Sequence, residues 1–267
     1  MSLLSPSGTP DQLAVFRDGD EMTTIDKHSD DASLVYQDYM SSVLPYHIHD
    51  SPENVLVLGS STGNELLQAT LHNAAHIDAV ESDTLLTSLI SEDYEDYFGW
   101  DRISDRISFH SSSPRGYAAS TKEKYNIIVT GVPGGSSGGA AGVHALATSY
   151  NFTIEALEQY LSLLEPDGLL SITFWTSTPA RGNLRLFATA VEALRGTGVE
   201  QPGNNIAWIR SWNTATLVIK NGALSSADNK RIREFSTARA FDIAWLPDIK
   251  ENEVNRYQLL QQPIYYM

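Results

Sequence analysis

Val55-Leu56-Val57-Leu58-Gly59-Ser60-Ser61-Thr62-Gly63 is the stretch that decides the fold. Four consecutive apolar residues suit a strand buried on both faces of a parallel sheet. The strand runs into a Gly-x-x-x-Gly turn, and the residues from Asn64 to about Asn73 read as a helix. His76-Ile77-Asp78-Ala79-Val80 reads as a second strand ending at Glu81. A strand, a tight glycine turn and a helix in that order direct backbone N–H groups and the helix dipole toward a ligand. Glu81 lies 22 positions after Gly59. An acid at about that spacing, closing the second strand, hydrogen-bonds ribose hydroxyls in nucleoside-type sites.

Working outward, the alternation of strand and helix continues. Residues 13–26 read as a hairpin around Asp18-Gly19, and 31–44 as a helix that stops before Pro45. After Glu81, residues 84–97 read as a helix and 106–110 as a short strand, while 125–130 (YNIIVT) form another buried strand. A loop over 131–142 carries six glycines. An amphipathic helix over 153–164 is closed by Glu165-Pro166-Asp167-Gly168, and a strand follows over 169–175. After a helix over 183–195, the strands 206–210 and 214–220 are joined by only three residues. That link is too short for a helical crossover, so the pair is antiparallel. A helix over 226–240 and a strand over 241–246 complete the pattern. The prediction is a doubly wound α/β fold. It has a mostly parallel sheet of about seven strands, an antiparallel final hairpin and a small N-terminal β-hairpin. Three parts are expected: a lead-in over 1–50, a Rossmann-like ligand-binding domain over 51–222 and a helix–strand extension over 223–267.

Composition and failed motifs narrow the chemistry. The chain has 267 residues and no cysteine, which excludes disulfides, thiolate metal sites and cysteine nucleophiles. Eighteen Lys and Arg stand against 33 Asp and Glu, a net charge of −15. Such a chain repels the phosphate backbone, so nucleic acid is not an expected partner, whereas a cationic small molecule fits. No run reaches the roughly 20 apolar residues of a membrane span, and residues 1–10 lack signal-peptide character. The expectation is a cytoplasmic protein. A Gly-x-Gly-x-x-Gly dinucleotide fingerprint would need glycine at Ser61 and Asn64. Gly59-x-Ser61-x-Gly63 matches a hydrolase nucleophile elbow but follows the first buried strand, earlier than such elbows occur. Gly134-Gly135-Ser136-Ser137-Gly138 repeats the string without a helix immediately after it. Gly134 and Gly139 begin a P-loop, but Ala140 replaces its lysine. His47-x-His49 with Asp50 is a weak metal pattern and reads as a turn leading into Pro52, so no metal is expected. His144, just past the glycine loop, is a candidate base against an ordinary solvated histidine.

The glycine turn, Glu81 and the closing antiparallel hairpin together resemble a class I S-adenosylmethionine-dependent methyltransferase. The chain is more closely similar to the spermidine synthase, or aminopropyltransferase, branch. The similarity rests on the hairpin and Val35-Tyr36-Gln37-Asp38, on Pro45-Tyr46-His47, on Ala79-Val80-Glu81, and on Tyr125 to Thr130. Tyr150 with Thr153-Ile154-Glu155-Ala156, Ala140-Ala141-Gly142, Phe187 to Leu194, Ile209 to Trp212 and Thr214 to Leu217 extend it along nearly the whole chain. The resemblance implies S-adenosylmethionine or its decarboxylated form as cofactor, and transfer of a methyl or aminopropyl group to a small acceptor. It implies Gly59, Ser60, Ser61, Thr62 and Gly63 at the methionine part, Glu81 and Ser82 at the ribose, and Ser112 and Ser113 near the adenine. Thr130 and Gly131 would belong to the cofactor site as well, with Tyr36, Gln37 and Tyr150 near the donor's amino-acid end and the acceptor. A homodimer is among the expected assemblies. The chain departs from the branch where it matters for catalysis. Gly131 stands where aminopropyltransferases carry the aspartate that deprotonates the attacking amine, and Gly134 where a second acid would help. The alternative is therefore a non-catalytic binding or regulatory domain of a larger protein.

Overall fold

The computed structural model describes residues 1–17, 21–131, 150–176 and 180–253. The expected Asp18-Gly19 turn, the glycine loop from residue 132 with Gly134, and His144 lie outside the described residues. Strands β1 (Gln12–Arg17) and β2 (Glu21–Asp26) form an antiparallel two-stranded sheet of their own. The main sheet begins with β3 (Asn54–Leu58), followed by helix α2 (Asn64–Leu71) and β4 (His76–Glu81); α1 (Leu44–Ile48) precedes it. Then come α3 (Thr84–Ser88), α4 (Glu95–Phe98), β5 (Ile107–Ser111), α5 (Pro114–Ser120) and β6 (Tyr125–Thr130). The rest is α6 (Ile154–Ser162), β7 (Leu164–Trp175), α7 (Arg181–Gly196), β8 (Ile206–Arg210), β9 (Thr214–Lys220), α8 (Ser226–Ala238) and β10 (Asp242–Trp245).

The eight strands are ordered β10-β8-β9-β7-β6-β3-β4-β5. The β3/β4, β4/β5, β3/β6 and β6/β7 pairs are parallel, and β7/β9, β8/β9 and β10/β8 are antiparallel. The chain leaves β3 toward β4 and β5, then returns to build outward from β6. That reversal beside β3 is where an open α/β sheet forms its ligand crevice, outside the carboxyl ends of the strands.

Side chains on β3 show why both faces need cover. Val55 and Val57 enter one core with Leu66, Leu67, Ile232 and Phe235; Leu56 and Leu58 enter the other with Leu157, Tyr160 and Leu186. All four β3 residues are essentially inaccessible, each contributing about 1.5–3 kcal/mol by burial. Helix starts are capped where the sequence offers an acceptor: Asp83 for α3, Ser113 for α5, Thr153 for α6 and Ser225 for α8.

The fold is as expected, and three local expectations are corrected. The sheet of about seven strands has eight, and the expected strand at 241–246 contracts to β10, which pairs with the free edge of β8. Residues 31–44 are not one α-helix ended by Pro45: Asp31–Tyr39 and Ser41–Val43 are 3₁₀-helical, and Pro45 sits in the first turn of α1. A proline in a first turn loses nothing, since N–H groups there have no intrahelical acceptor. The helix over 84–97 is broken by a π-helical turn at Leu89–Asp93. The 165–168 segment does not separate helix from strand; β7 already starts at Leu164, and its register against β6 shifts between Tyr125 and Ile127.

Candidate functional site

The glycine turn uses left-handed backbone three times, at Gly59 (φ 77°), Ser61 (φ 47°) and Gly63 (φ 90°). Gly63 is required twice over, because a β-carbon there would lie 2.5 Å from the Phe98 ring. Four of the turn's five N–H groups are used within the protein, where the sequence pattern has them facing a ligand. Gly59 and Ser60 donate to Val80 O (2.8 and 3.1 Å), and Gly63 donates to Ser60 O (2.9 Å). Ser61 N donates to Glu81 Oε2 at 2.9 Å. The turn thus offers a close-approach floor, not an anion cradle. Glu81 also accepts from Asp83 N at 3.0 Å and from Ser82 Oγ at 3.4 Å, so its carboxylate is locked at the end of β4.

Above this floor lies a cavity of about 660 Å³. Its far wall is the two-stranded sheet, fastened to the turn by one side chain. Thr62 Oγ1 donates to Thr24 O (2.7 Å), so Thr23 Oγ1, at 2.8 Å, is the donor in its contact with Thr62. Behind the wall runs a buried amide network. Gln37 Nε2 reaches Tyr36 OH (2.7 Å), Asn64 Oδ1 (3.0 Å) and Asp26 Oδ2 (3.1 Å), while Gln68 Nε2 donates to Gln37 Oε1 (2.9 Å). Asp26, 1% exposed, also accepts from Gln12 Nε2 at 2.6 Å. Burial pushes its carboxyl above the ordinary aspartate value, against the opposing pull of hydrogen bonds from Gln12, Thr24 and Gln37. Asp26, Glu65 and Glu81 line the cavity, and among the described residues no Lys, Arg or His side chain does. Two hydroxyls at its edge, Thr130 Oγ1 and Tyr160 OH, are buried without a hydrogen-bond partner. Desolvation pushes the Tyr160 phenol up to about 12.

No family model matches the chain, and no curated protein does. Solved structures match its fold. A spermidine synthase in complex with the transition state analogue AdoDATO superposes with a TM-score of 0.55 at 16% identity, over 94% of this chain and 79% of that one. A probable spermidine synthase from Corynebacterium glutamicum gives 0.60 at 15% identity, over 88% and 81%. Human methyltransferase-like protein 13 in complex with SAH gives 0.52 at 14%, over 81% and 98%. The fold is spermidine synthase-like. At these identities the likeness speaks for the fold, and it confirms the class I methyltransferase architecture read from the sequence.

Within this spermidine synthase-like fold, nine of the expected residues line one cavity: Tyr36, Gln37, Gly59, Ser61, Thr62, Glu81, Ser82, Thr130 and Gly131. The others stand apart. Ser60 is wholly buried, its hydroxyl without a partner, and Gly63 packs under Phe98. Ser112 donates its N–H to Glu81 O, and Ser113 Oγ caps α5 by accepting from Gly116 N; Pro114, not either serine, lines the cavity. Tyr150 is 69% exposed, and its neighbours Asn151 and Phe152 face the cavity instead. His49 and Asp50 do not join His47: Asp50 pairs with Arg231 at 3.1 Å. Ser61 has no histidine in the cavity wall among the described residues, so the hydrolase elbow has no base there. Gly131 is tight against the turn. A β-carbon at 131 would lie 2.5 Å from Gly59 O, so an acid side chain does not fit without moving backbone. Sequence reasoning missed Gln12, Asp26, Gln68 and Tyr160. Only Asp26 carried a signal, a carboxylate at the end of a strand next to the fully buried Ile25.

Proposed function

We propose that the chain binds an adenosyl-sulfonium donor of the S-adenosylmethionine type and transfers its methyl or aminopropyl group to a small acceptor. The observation that carries this reading is the cavity at the sheet's switch point, floored by the glycine turn and edged by the locked Glu81 carboxylate. Glu81 retains lone pairs for ribose hydroxyls beyond those used by Ser61 and Asp83. A turn in which Gly59, Ser60, Ser61 and Gly63 have spent their N–H groups suits a ligand with no phosphate at that point. In the transfer, a nucleophile's lone pair forms a bond to the donor carbon, the carbon–sulfur bond breaks, and its electron pair stays on sulfur as a neutral thioether. An amine nucleophile also gives up a proton. The acidic wall, with Asp26 buried and served only by neutral donors, supports an amine-bearing ligand whose cation compensates it. The raised carboxyl of Asp26 also makes it a better proton acceptor than an ordinary aspartate.

A second reading rests on Gly131. The position that carries the acid in aminopropyltransferases is sterically closed here, which supports binding without turnover. Thermal unfolding separates the readings from failure. Donor at about 100 times its dissociation constant adds roughly 2.7 kcal/mol, or on the order of 5–10 °C for a chain this long. S-adenosylmethionine, its decarboxylated form, S-adenosylhomocysteine and methylthioadenosine are expected to shift the midpoint, and NAD is not. A shift followed by no label transfer to any amine supports the binding-only reading. No shift at millimolar concentration with any of them sinks both.

A further inference from the structure

Outside the cavity, three side chains turn their ligating atoms toward one point. Asp38 stands near the end of the 3₁₀ segment Asp31–Tyr39, His47 in α1, and His72 at the C-terminal cap of α2. His47 Nε2 is 2.7 Å from Asp38 Oδ1, His72 Nε2 is 3.2 Å from the same oxygen, and the three ligating atoms lie within 4.8 Å of one another. His72 Nε2 is buried and makes no hydrogen bond, although Asp38 Oδ1 is near. The polar neighbour of this buried imidazole nitrogen is a carboxylate oxygen that it shares with His47, an arrangement that an ion between the three groups would complete.

The surroundings hold these atoms in place. Asp38 Oδ2 accepts from Arg239 Nη2, and the Asp38 carbonyl from Arg239 Nε at 2.5 Å, which leaves Oδ1 facing the two imidazoles. A second donor on the far oxygen is the usual support of a metal-bound carboxylate. Tyr46 stacks on His72 (centroids 5.1 Å apart, planes 8° apart), and Phe235 packs against His47 at 4.7 Å. A surface depression of about 270 Å³, lined by His47 and Arg239, leaves room for solvent as a further ligand.

We propose that Asp38, His47 and His72 form a binding site for one borderline divalent cation, Zn²⁺ foremost. Two imidazole nitrogens and one carboxylate oxygen match Zn²⁺, whereas Mg²⁺ and Ca²⁺ prefer all-oxygen sets. Arg239 Nη2 lies 3.4 Å from His47 Nε2, so metal entry replaces that contact and works against its charge. The expected dissociation constant is therefore on the order of micromolar, not nanomolar. The ion would tie together the 3₁₀ segment, α1 and α2, the first and last of which carry Gln37 and Gln68 to the cavity. Its role is positional, and it stands whether or not the proposed transfer reaction does.

The test titrates the metal-stripped full chain with Zn²⁺ by calorimetry, and with Co²⁺ by visible absorption. One ion per chain is expected, with d–d bands of a low-coordinate Co²⁺ site and a Zn²⁺-dependent rise in the unfolding midpoint. His72→Ala and Asp38→Asn are each expected to weaken binding at least tenfold, and His49→Ala to leave it unchanged. His72→Gln, checked by circular dichroism, serves if the alanine variant does not fold. No Zn²⁺ binding, Mg²⁺ binding of equal strength, or unchanged affinity in the His72 and Asp38 variants would each overturn the proposal.

Discussion

Replacing Gly131 by alanine tests the site where the end of β6 meets the glycine turn. Gly131 follows β6, donates its N–H to Leu58 O at 3.3 Å, and faces the carbonyl of Gly59 across the cavity floor. A methyl group there would lie 2.5 Å from that oxygen, at least 0.5 Å inside the closest approach that packed carbon and oxygen tolerate. The obstacle is backbone on both sides, so relief means moving β6 away from β3 or deforming the glycine turn. Overpacking of this kind costs about 1–3 kcal/mol, equivalent to roughly 3–10 °C in the midpoint at this chain length. Deforming the turn would also loosen Ser61 from Glu81, so binding of an adenosyl donor is expected to fall more than stability does. Gly182→Ala is the control. It lies in the first turn of α7 with nothing within 4 Å of a β-carbon, and should be neutral or stabilising by about 0.5–1 kcal/mol. Urea unfolding of both variants, with donor titrations followed by fluorescence, makes the comparison. A Gly131→Ala protein within about 0.5 kcal/mol of the parent, binding donor equally well, would refute the reasoning.

Three further outcomes follow from the same geometry. Asp26 has a raised carboxyl in the folded chain, so its ionisation opposes folding at neutral pH, and stability is regained as pH falls through that raised value toward the ordinary 3.8. Subtracting the pH–stability curve of Asp26→Asn from the parent's should isolate that slope, and a flat difference would disprove it. Glu81→Gln exchanges an anionic acceptor for a neutral one facing Ser61 N and Asp83 N, and is expected to weaken adenosyl-donor affinity by about tenfold to a hundredfold, at 1.4 kcal/mol per decade; equal affinity by calorimetry would remove Glu81 from the site. Ser225→Ala breaks the capping box in which Ser225 Oγ accepts from Asp228 N (3.1 Å) and Asp228 Oδ2 from Ser225 N (2.8 Å). A loss of about 0.5–2 kcal/mol is expected in chemical denaturation, with donor binding unchanged.

The architecture was legible because its signals are local. The Val55–Leu58 run, the glycine turn and the spacing to Glu81 sit in one βαβ unit, and the structure pairs Leu58 with Val80 and Thr130 in parallel register. The three-residue link between β8 and β9 forced an antiparallel pair whatever the tertiary context. Much of the cavity was not legible because it is assembled across layers. Asp26 reaches it from a separate sheet, Gln68 from the second turn of α2, and Tyr160 from a helix on the opposite face of the sheet. Proximity in sequence also misled: Tyr150 points to solvent while Phe152, two residues on, lines the cavity. His47 was read with His49, its neighbour in the chain, whereas its spatial neighbours are Asp38 and His72. A helical signature at 31–44 was real in composition, but Pro45 fits the start of a helix as well as its end.

The small sheet of β1 and β2 is hydrogen-bonded to the rest of the molecule chiefly through Thr23, Thr24 and Asp26, not through a strand ladder. Its apolar anchorage is Ile25, wholly buried in the core, with Leu13 and Val15 packed against the same core; a segment held by so few ties is expected to open below global unfolding. For the proposed donor, escape from the cavity is expected to need only a local opening of this sheet and not unfolding of the whole protein. A substitution in α8 that lowers the melting point by several degrees should leave the donor's dissociation rate untouched, while Thr62→Val should raise that rate without altering the melting point much. Residence time and robustness would then be set by different parts of the molecule, the first by the hairpin and the second by the eight-stranded sheet.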